Sequence, residues 1–224
     1  MNIIHTTLQT SNLQKTNQFY HEVLGFTIFD ETEKSFTIAA GISTCTFTNE
    51  DVVGEPFYHF AFDLPANQFL QAKKWVKERT TLLTEKGVDE IHFARLQATS
   101  IYFEDPSGNI VEFIARFKHD VTSDEPFSIT SLQKISEMSL IVQNKIDVLQ
   151  TLRAHHIVAR DQSEMENDTL AFMSDQQTSV YLLVANASRR WLFSEKRSQV
   201  FPIELTLDNG IVIGVNEEKA FFVR

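Results

Sequence analysis

Apolar and polar residues alternate at three places along the chain, and each time the alternation gives way to a helical pattern. Ile3-Ile4-His5-Thr6-Thr7-Leu8 leads through Ser11-Asn12 into a helix-like stretch from Leu13 to Leu24. Tyr58-His59-Phe60-Ala61-Phe62-Asp63 leads through Pro65-Ala66-Asn67 into a helix running past Trp75 to Glu78. Glu137-Met138-Ser139-Leu140-Ile141-Val142 leads through Asn144 into a helix ending near His155. Ser11 or Asn12, Asn67 and Asn144 are the residue types whose short polar side chains accept from the free N–H groups of a helix start. Phe19, Val23 and Leu24 share one helical face, and Gly25 follows as a stop signal.

Short strand-like runs follow each helix: Phe26–Phe29, Ser35–Ala39 and Thr44–Thr48, then Glu90–Leu96, Ser100–Phe103 and Asn109–Phe117, then Thr169–Met173 and Ser179–Val184. The grammar is therefore βαβββ, βαβββ, and a βαββ-like unit with a variant tail, an α+β protein built from repeats. Two modules, 1–55 and 56–118, would form one domain. A polar, aperiodic stretch at 119–134 containing Pro126 reads as a linker, and 135–224 as a degenerate third module. The tail runs Val200–Leu205 and Ile211–Gly214 predict a hairpin turning at Asp208-Asn209-Gly210.

Composition changes the picture little. Nineteen Phe against seven Gly suit pleated, half-buried strands. A formal net charge of −10 argues against nucleic acid and anionic membranes as partners. A single cysteine, Cys45, permits no internal disulfide. The absence of a basic start followed by an apolar stretch, and of any long apolar run, makes the cytoplasm the expected location.

The chemistry rests on repeat position. His5 and His59 stand at the same place in consecutive first strands, and Glu112 lies on the last strand of the second unit. If the two units pair about a pseudo-twofold axis, both imidazoles converge and Glu112 closes the set. Two imidazoles and a carboxylate form a facial triad for a divalent ion such as Fe, Mn, Zn or Ni, with positions left open for substrate.

Ser100-Ile101-Tyr102-Phe103-Glu104-Asp105-Pro106-Ser107-Gly108-Asn109-Ile110-Val111-Glu112-Phe113 resembles the closing motif YFxDPxGNxxEF of the vicinal-oxygen-chelate (glyoxalase/bleomycin resistance/extradiol dioxygenase) superfamily. Phe19-Tyr20-His21-Glu22-Val23-Leu24-Gly25-Phe26 is similar to its FYxxxLGF helix end. The resemblance covers residues 1 to 118 and implies paired βαβββ modules forming a metal-holding cup, with His5, His59 and Glu112 as ligands. It also implies a catalytic role for Tyr102, ten residues before Glu112, in handling a proton or orienting substrate.

Three departures narrow the activity. The stretch Ser43–Glu50 has no pocket histidine of the kind ring-cleaving dioxygenases use. Thr44–Thr48 offers no fourth ligand for glyoxalase I chemistry. Only Arg95 and Arg116 stand near as basic groups for a phosphonate.

The expectation is a metal-dependent enzyme chelating vicinal oxygens of a small-molecule substrate, most like a ring-cleaving dioxygenase or glyoxalase-like protein. The alternative is a non-catalytic small-molecule binder of the bleomycin-resistance type. In the third unit Glu137 aligns with His5 and His59, but the sequence shows no partners for it. That unit is expected to pack, to cap the cup or to pair two chains as a homodimer. His92 would line the cup or serve structure, the adjacent His155-His156 would end a helix, and Arg189-Arg190-Trp191 would be ordinary solvated charge, with a surface or dimer contact as the alternative.

Overall fold

A computed structural model describes residues 1–119, 121–161 and 169–224. Asp120, inside the expected linker, lies outside the described residues. The first module runs β1 (Ile3–Gln9), α1 (Leu13–Gln18), β2 (Ile28–Glu31), β3 (Ser35–Ala40) and β4 (Ser43–Thr48). The second runs β5 (His59–Leu64), α2 (Phe69–Lys77), β6 (Ile91–Phe93), β7 (Ala98–Glu104) and β8 (Ile110–Arg116). The third runs β9 (Lys134–Val142), α3 (Lys145–Ala154), β10 (Val158–Ala159), β11 (Ala171–Ser174) and β12 (Tyr181–Asn186). The tail adds β13 (Ile203–Leu207), β14 (Val212–Val215) and β15 (Phe221–Val223). After α1 the chain widens into a π-turn over Phe19–Val23, and Gly25 closes it with a φ of 74°.

The pairing of modules differs from the expected one. β5 runs parallel to β8 and antiparallel to β9, and β9 runs parallel to β12. Modules two and three therefore share one curved sheet. β1 pairs with β4 on one edge and with β13 of the tail on the other. It meets β9 only at Ile3 opposite Ile135. The first strands of modules one and two are not neighbours, because the tail hairpin occupies the edge that β5 was expected to take.

Period-2 alternation sorts the side chains. Phe60, Phe62 and Leu64 of β5 and Val111, Phe113 and Ala115 of β8 enter the main core. His59, Ala61 and Asp63, and Ile110, Glu112, Ile114 and Arg116, face the other way, into the cup. The Phe-rich composition appears as a chain of rings: Phe26 to Phe62 at 5.8 Å, Phe62 to Phe113 at 6.1 Å and Phe113 to Phe103 at 5.3 Å. Asp105 fixes the turn that aims β8. It accepts from the Asn109 and Ser107 backbone N–H groups and from the buried Tyr20 hydroxyl at 2.9 Å.

Residues 121–133 lie against α2 rather than hanging free. The Val121 carbonyl accepts from Ala66 N–H, and the Phe127 ring meets Trp75 at 5.6 Å. Gly41 is the tightest approach to this segment. A Cβ there would come 1.8 Å from the Gln133 carbonyl oxygen, at a φ of 56° that disfavours other residues. Gly41→Ala should therefore destabilise the fold by about 3 kcal/mol, seen as a lower urea midpoint at unchanged slope. An unchanged midpoint would mean the segment yields freely at Gln133.

Candidate metal centre

Three strands bring three donors to the floor of the cup. His59 from β5, Glu112 from β8 and Glu137 from β9 are buried, with one ligand atom of each within 4.8 Å of the others. His59 Nε2 lies 3.4 Å from Glu112 Oε2. His59 Nδ1 donates to the Ile110 carbonyl at 2.9 Å, which leaves Nε2 pointing at the carboxylates. A metal-binding imidazole needs this arrangement, with one nitrogen tied back and the other presented.

The β5–β9 register places Glu137. Ala61 lies opposite Glu137, but Phe62 lies opposite Ile135, so Ser136 is one residue too many and forms a bulge. The bulge lets both Ile135 and Met138 reach the core while Glu137 faces the cup. Arg116 Nη2 donates to Glu137 Oε1 at 2.5 Å, and Arg116 Nε donates to Asp63 Oδ1 at 3.0 Å. Arg116 thus fixes Glu137 by one oxygen and leaves the other for the cup.

The electrostatics follow from crowding carboxylates out of water. Burial first, then the neighbouring Glu112 charge, push the Glu137 carboxyl above its ordinary value, and Arg116 offsets only part of this. Burial pulls the His59 imidazole down, but the hydrogen bond and charge of Glu112 outweigh it, so the net shift is upward. Burial, then the charges of Glu112 and Glu137, raise the Tyr102 phenol well above its ordinary value. One imidazole and two carboxylates with a spare oxygen suit a divalent cation, which relieves their mutual repulsion.

Above the floor lies a cavity of about 680 Å³. Tyr102 lines it, opposite Glu112 on the neighbouring strand and stacked on Phe193 at 4.7 Å. Trp191 packs against the His59 ring at 4.9 Å. His92 lines the rim, exposed, with Nδ1 3.0 Å from the Thr99 hydroxyl.

Of the residues read from the sequence as ligands, His59 and Glu112 meet and His5 does not join them. β9 separates β1 from β5 in the sheet. The His5 ring contacts the hydroxyls of Thr44 at 2.8 Å and Thr7 at 3.2 Å. Burial lowers its pKa, partly opposed by Glu204. The place expected for His5 is taken by Glu137. Its alignment with the two histidines was visible in the sequence, but its partners depend on which strands pair. Arg189-Arg190-Trp191 is corrected too: the turn after β12 folds back over the cup, burying Trp191 and leaving only Arg190 to a surface ion pair with Glu85. His155 and His156 lie at the end of α3 as expected.

The strand that carries His5 lines a second cavity, of about 390 Å³, through Thr7 and Gln9, and its register repeats that of the first. Thr7 lies opposite Glu204 as Ala61 lies opposite Glu137, and Thr7 is level with Thr46 as Ala61 is level with Glu112. His5 and Glu204 are thus the counterparts of His59 and Glu137, but a threonine stands where the third donor would be.

Comparison with known proteins decides the family. The model of the glyoxalase/bleomycin resistance protein/dioxygenase superfamily matches residues 2–113, half of the chain. The chain belongs to that superfamily. A model described as toxoflavin-degrading enzyme matches residues 135–189, which include Glu137 and Arg189. Metallothiol transferase FosB of Staphylococcus haemolyticus is 29% identical over 115 residues, covering 49% of this chain and 80% of that protein. The protein of the same name from Staphylococcus saprophyticus is 24% identical over 115 residues, covering 49% of this chain and 74% of that one. A Bacillus subtilis protein described as a candidate dioxygenase superposes with a TM-score of 0.57 over all of this chain and 84% of its own, at 13% identity. This last likeness shows the fold alone. In this superfamily member the residues matched by the first model span two modules that do not share a cup. The donor set needs the third module. No helix among the described residues is long and apolar enough to cross a membrane.

Proposed function

We propose that the chain is a metal-dependent enzyme acting on a small molecule that offers two neighbouring oxygens, with His59, Glu112 and Glu137 as the ligands. The observation that carries this reading is the convergence of one oriented imidazole nitrogen and two buried carboxylates at the floor of the cavity. The oxygen-rich donor set favours Mn or Fe over Zn or Ni. Once bound, such an ion supplies Lewis-acid and templating chemistry to the substrate oxygens.

The protein's own groups do the rest. Arg116 holds Glu137 in place. Trp191 and Phe193 screen the floor from water. The Tyr102 phenol keeps its proton at neutral pH and can donate it to a substrate oxygen beside Glu112.

The finer reading is ring-cleaving oxygenation of a flat aromatic diol, supported by the aromatic lining and by Tyr102 facing the substrate space. Metal-dependent group transfer is the second reading, favoured by the metallothiol transferases among the relatives. Oxygen uptake with a catechol separates the two.

Metal analysis of anaerobically purified wild type beside His5→Ala tests the site. About one Fe or Mn per chain is expected in both proteins. No ion in wild type even after reloading would overturn the reading and leave the cup as a small-molecule binder. Loss in His5→Ala would return His5 to the ligand set.

A further inference from the structure

Arg189 is a charge that the donor set does not use. It follows β12 in the segment folded back over the cup and lines the cavity beside Trp191. Its Nη1 donates to the Arg190 carbonyl at 2.9 Å, and its guanidinium carbon lies 5.4 Å from the centre of the Trp191 ring. Both are neutral partners. No carboxylate among the described residues pairs with it, and burial alone holds its pKa below the ordinary arginine value. The contrast with its neighbours is sharp: Arg190 pairs with Glu85 and Glu195, and Arg116 with Asp63 and Glu137. A half-buried guanidinium without a counter-ion is costly, and a ligand that supplies the anion removes the cost.

The rest of the lining sets the shape of that ligand. Ile110, Leu170, Phe172, Leu183 and Trp191 give apolar walls, while His92, Arg95, Arg160 and Asp161 add polar groups to the lining. Arg189 makes no hydrogen bond or ion pair with Glu112 or Glu137; the Trp191 ring that it lies over, at 5.4 Å, packs in turn against His59 at 4.9 Å. We infer that the substrate is a flat, largely apolar small molecule bearing a carboxylate at the end remote from its two metal-facing oxygens, and that Arg189 binds this carboxylate. The inference rests on the cup being the substrate site proposed above. Arginine suits the role because its planar fork matches a carboxylate with two parallel bonds, and the Trp191 face restrains the fork before binding.

The test is calorimetric titration of Mn-reconstituted protein with vicinal dihydroxybenzoate and with the corresponding amide, which has the same shape and no charge. Wild type should bind the carboxylate roughly tenfold more tightly or better. Arg189→Gln should abolish that preference while leaving the affinity for the amide unchanged, an outcome that general damage to the cup would not produce. Arg189→Lys should keep part of the preference, since a point charge lacks the fork. Equal affinities in wild type, equal weakening of both ligands in Arg189→Gln, or no binding of either ligand to the metal-loaded protein would each overturn the inference. If the protein takes up no Mn, the metal reading itself has failed. Benzoate against benzamide, neither of which needs a cation, then reads the Arg189 preference alone, and equal affinities there overturn it.

Discussion

Glu137→Gln is expected to lower the affinity for Mn or Fe by roughly 100-fold or more, so that the purified variant carries little metal. The amide keeps Glu137's volume and an oxygen that accepts from Arg116, but it loses the charge that makes the second oxygen a ligand. Glu204→Gln is the internal control, since Glu204 holds the equivalent register position in the other cup. It should bind as wild type does. Equal metal in wild type and Glu137→Gln, with folding confirmed by circular dichroism, would remove Glu137 from the site. A loss in Glu204→Gln would mean that the second cup, not the first, holds the ion.

The largest stability effect should come from Arg116→Leu. Arg116 is buried and is the cation bridging Asp63 and Glu137, with Lys134, 3.9 Å from Asp63, as a further basic group. Removing it strands two carboxylates beside Glu112 in a site that water scarcely reaches. Breaking a buried charge network in this way costs about 3–5 kcal/mol, or roughly a 10 °C drop in Tm for a chain of this size. Arg116→Lys should fall between, because one ammonium cannot span both partners. Thermal denaturation of the three proteins side by side decides it. A Tm for Arg116→Leu within a degree or two of wild type would show that the carboxylates are compensated in some other way.

Local pattern was legible in the sequence and strand partnership was not. The alternation at Ile3–Leu8, Tyr58–Asp63 and Glu137–Val142 foretold β1, β5 and β9, and Asn144 caps α3, its side chain accepting from Asp147 N–H. The expected strand at Glu90–Leu96 shortened to Ile91–Phe93, because the chain turns through Gln97 at a φ of 47°. The strand Phe221–Val223 was missed, being too short for a periodic signal. Glu112 and His59 were legible as candidate donors because each sits in a motif or repeat position. Glu137 shared the repeat position, but its value as a ligand depends on β5 choosing β9 rather than β1. That choice is made by the tail, whose β13 covers β1, and no periodicity within β1 or β5 encodes it. Arg189 and Trp191 lie in an irregular segment, where a sequence offers composition but no geometry.

The order in which strands find one another also sets an order of assembly. The inner pair of modules is contiguous, so β5 to β12 can close their cup as soon as residue 186 has been made. The outer pair brackets it: β1 is synthesised well before its partner β13, which begins at Ile203. Until then β1 is paired along one edge by β4 and presents open backbone along the other, the kind of edge that recruits foreign strands. The C-terminal hairpin therefore works as a clasp as well as a wall of the second cup, and a chain cut short before Ile203 would be sticky even with its donor set intact.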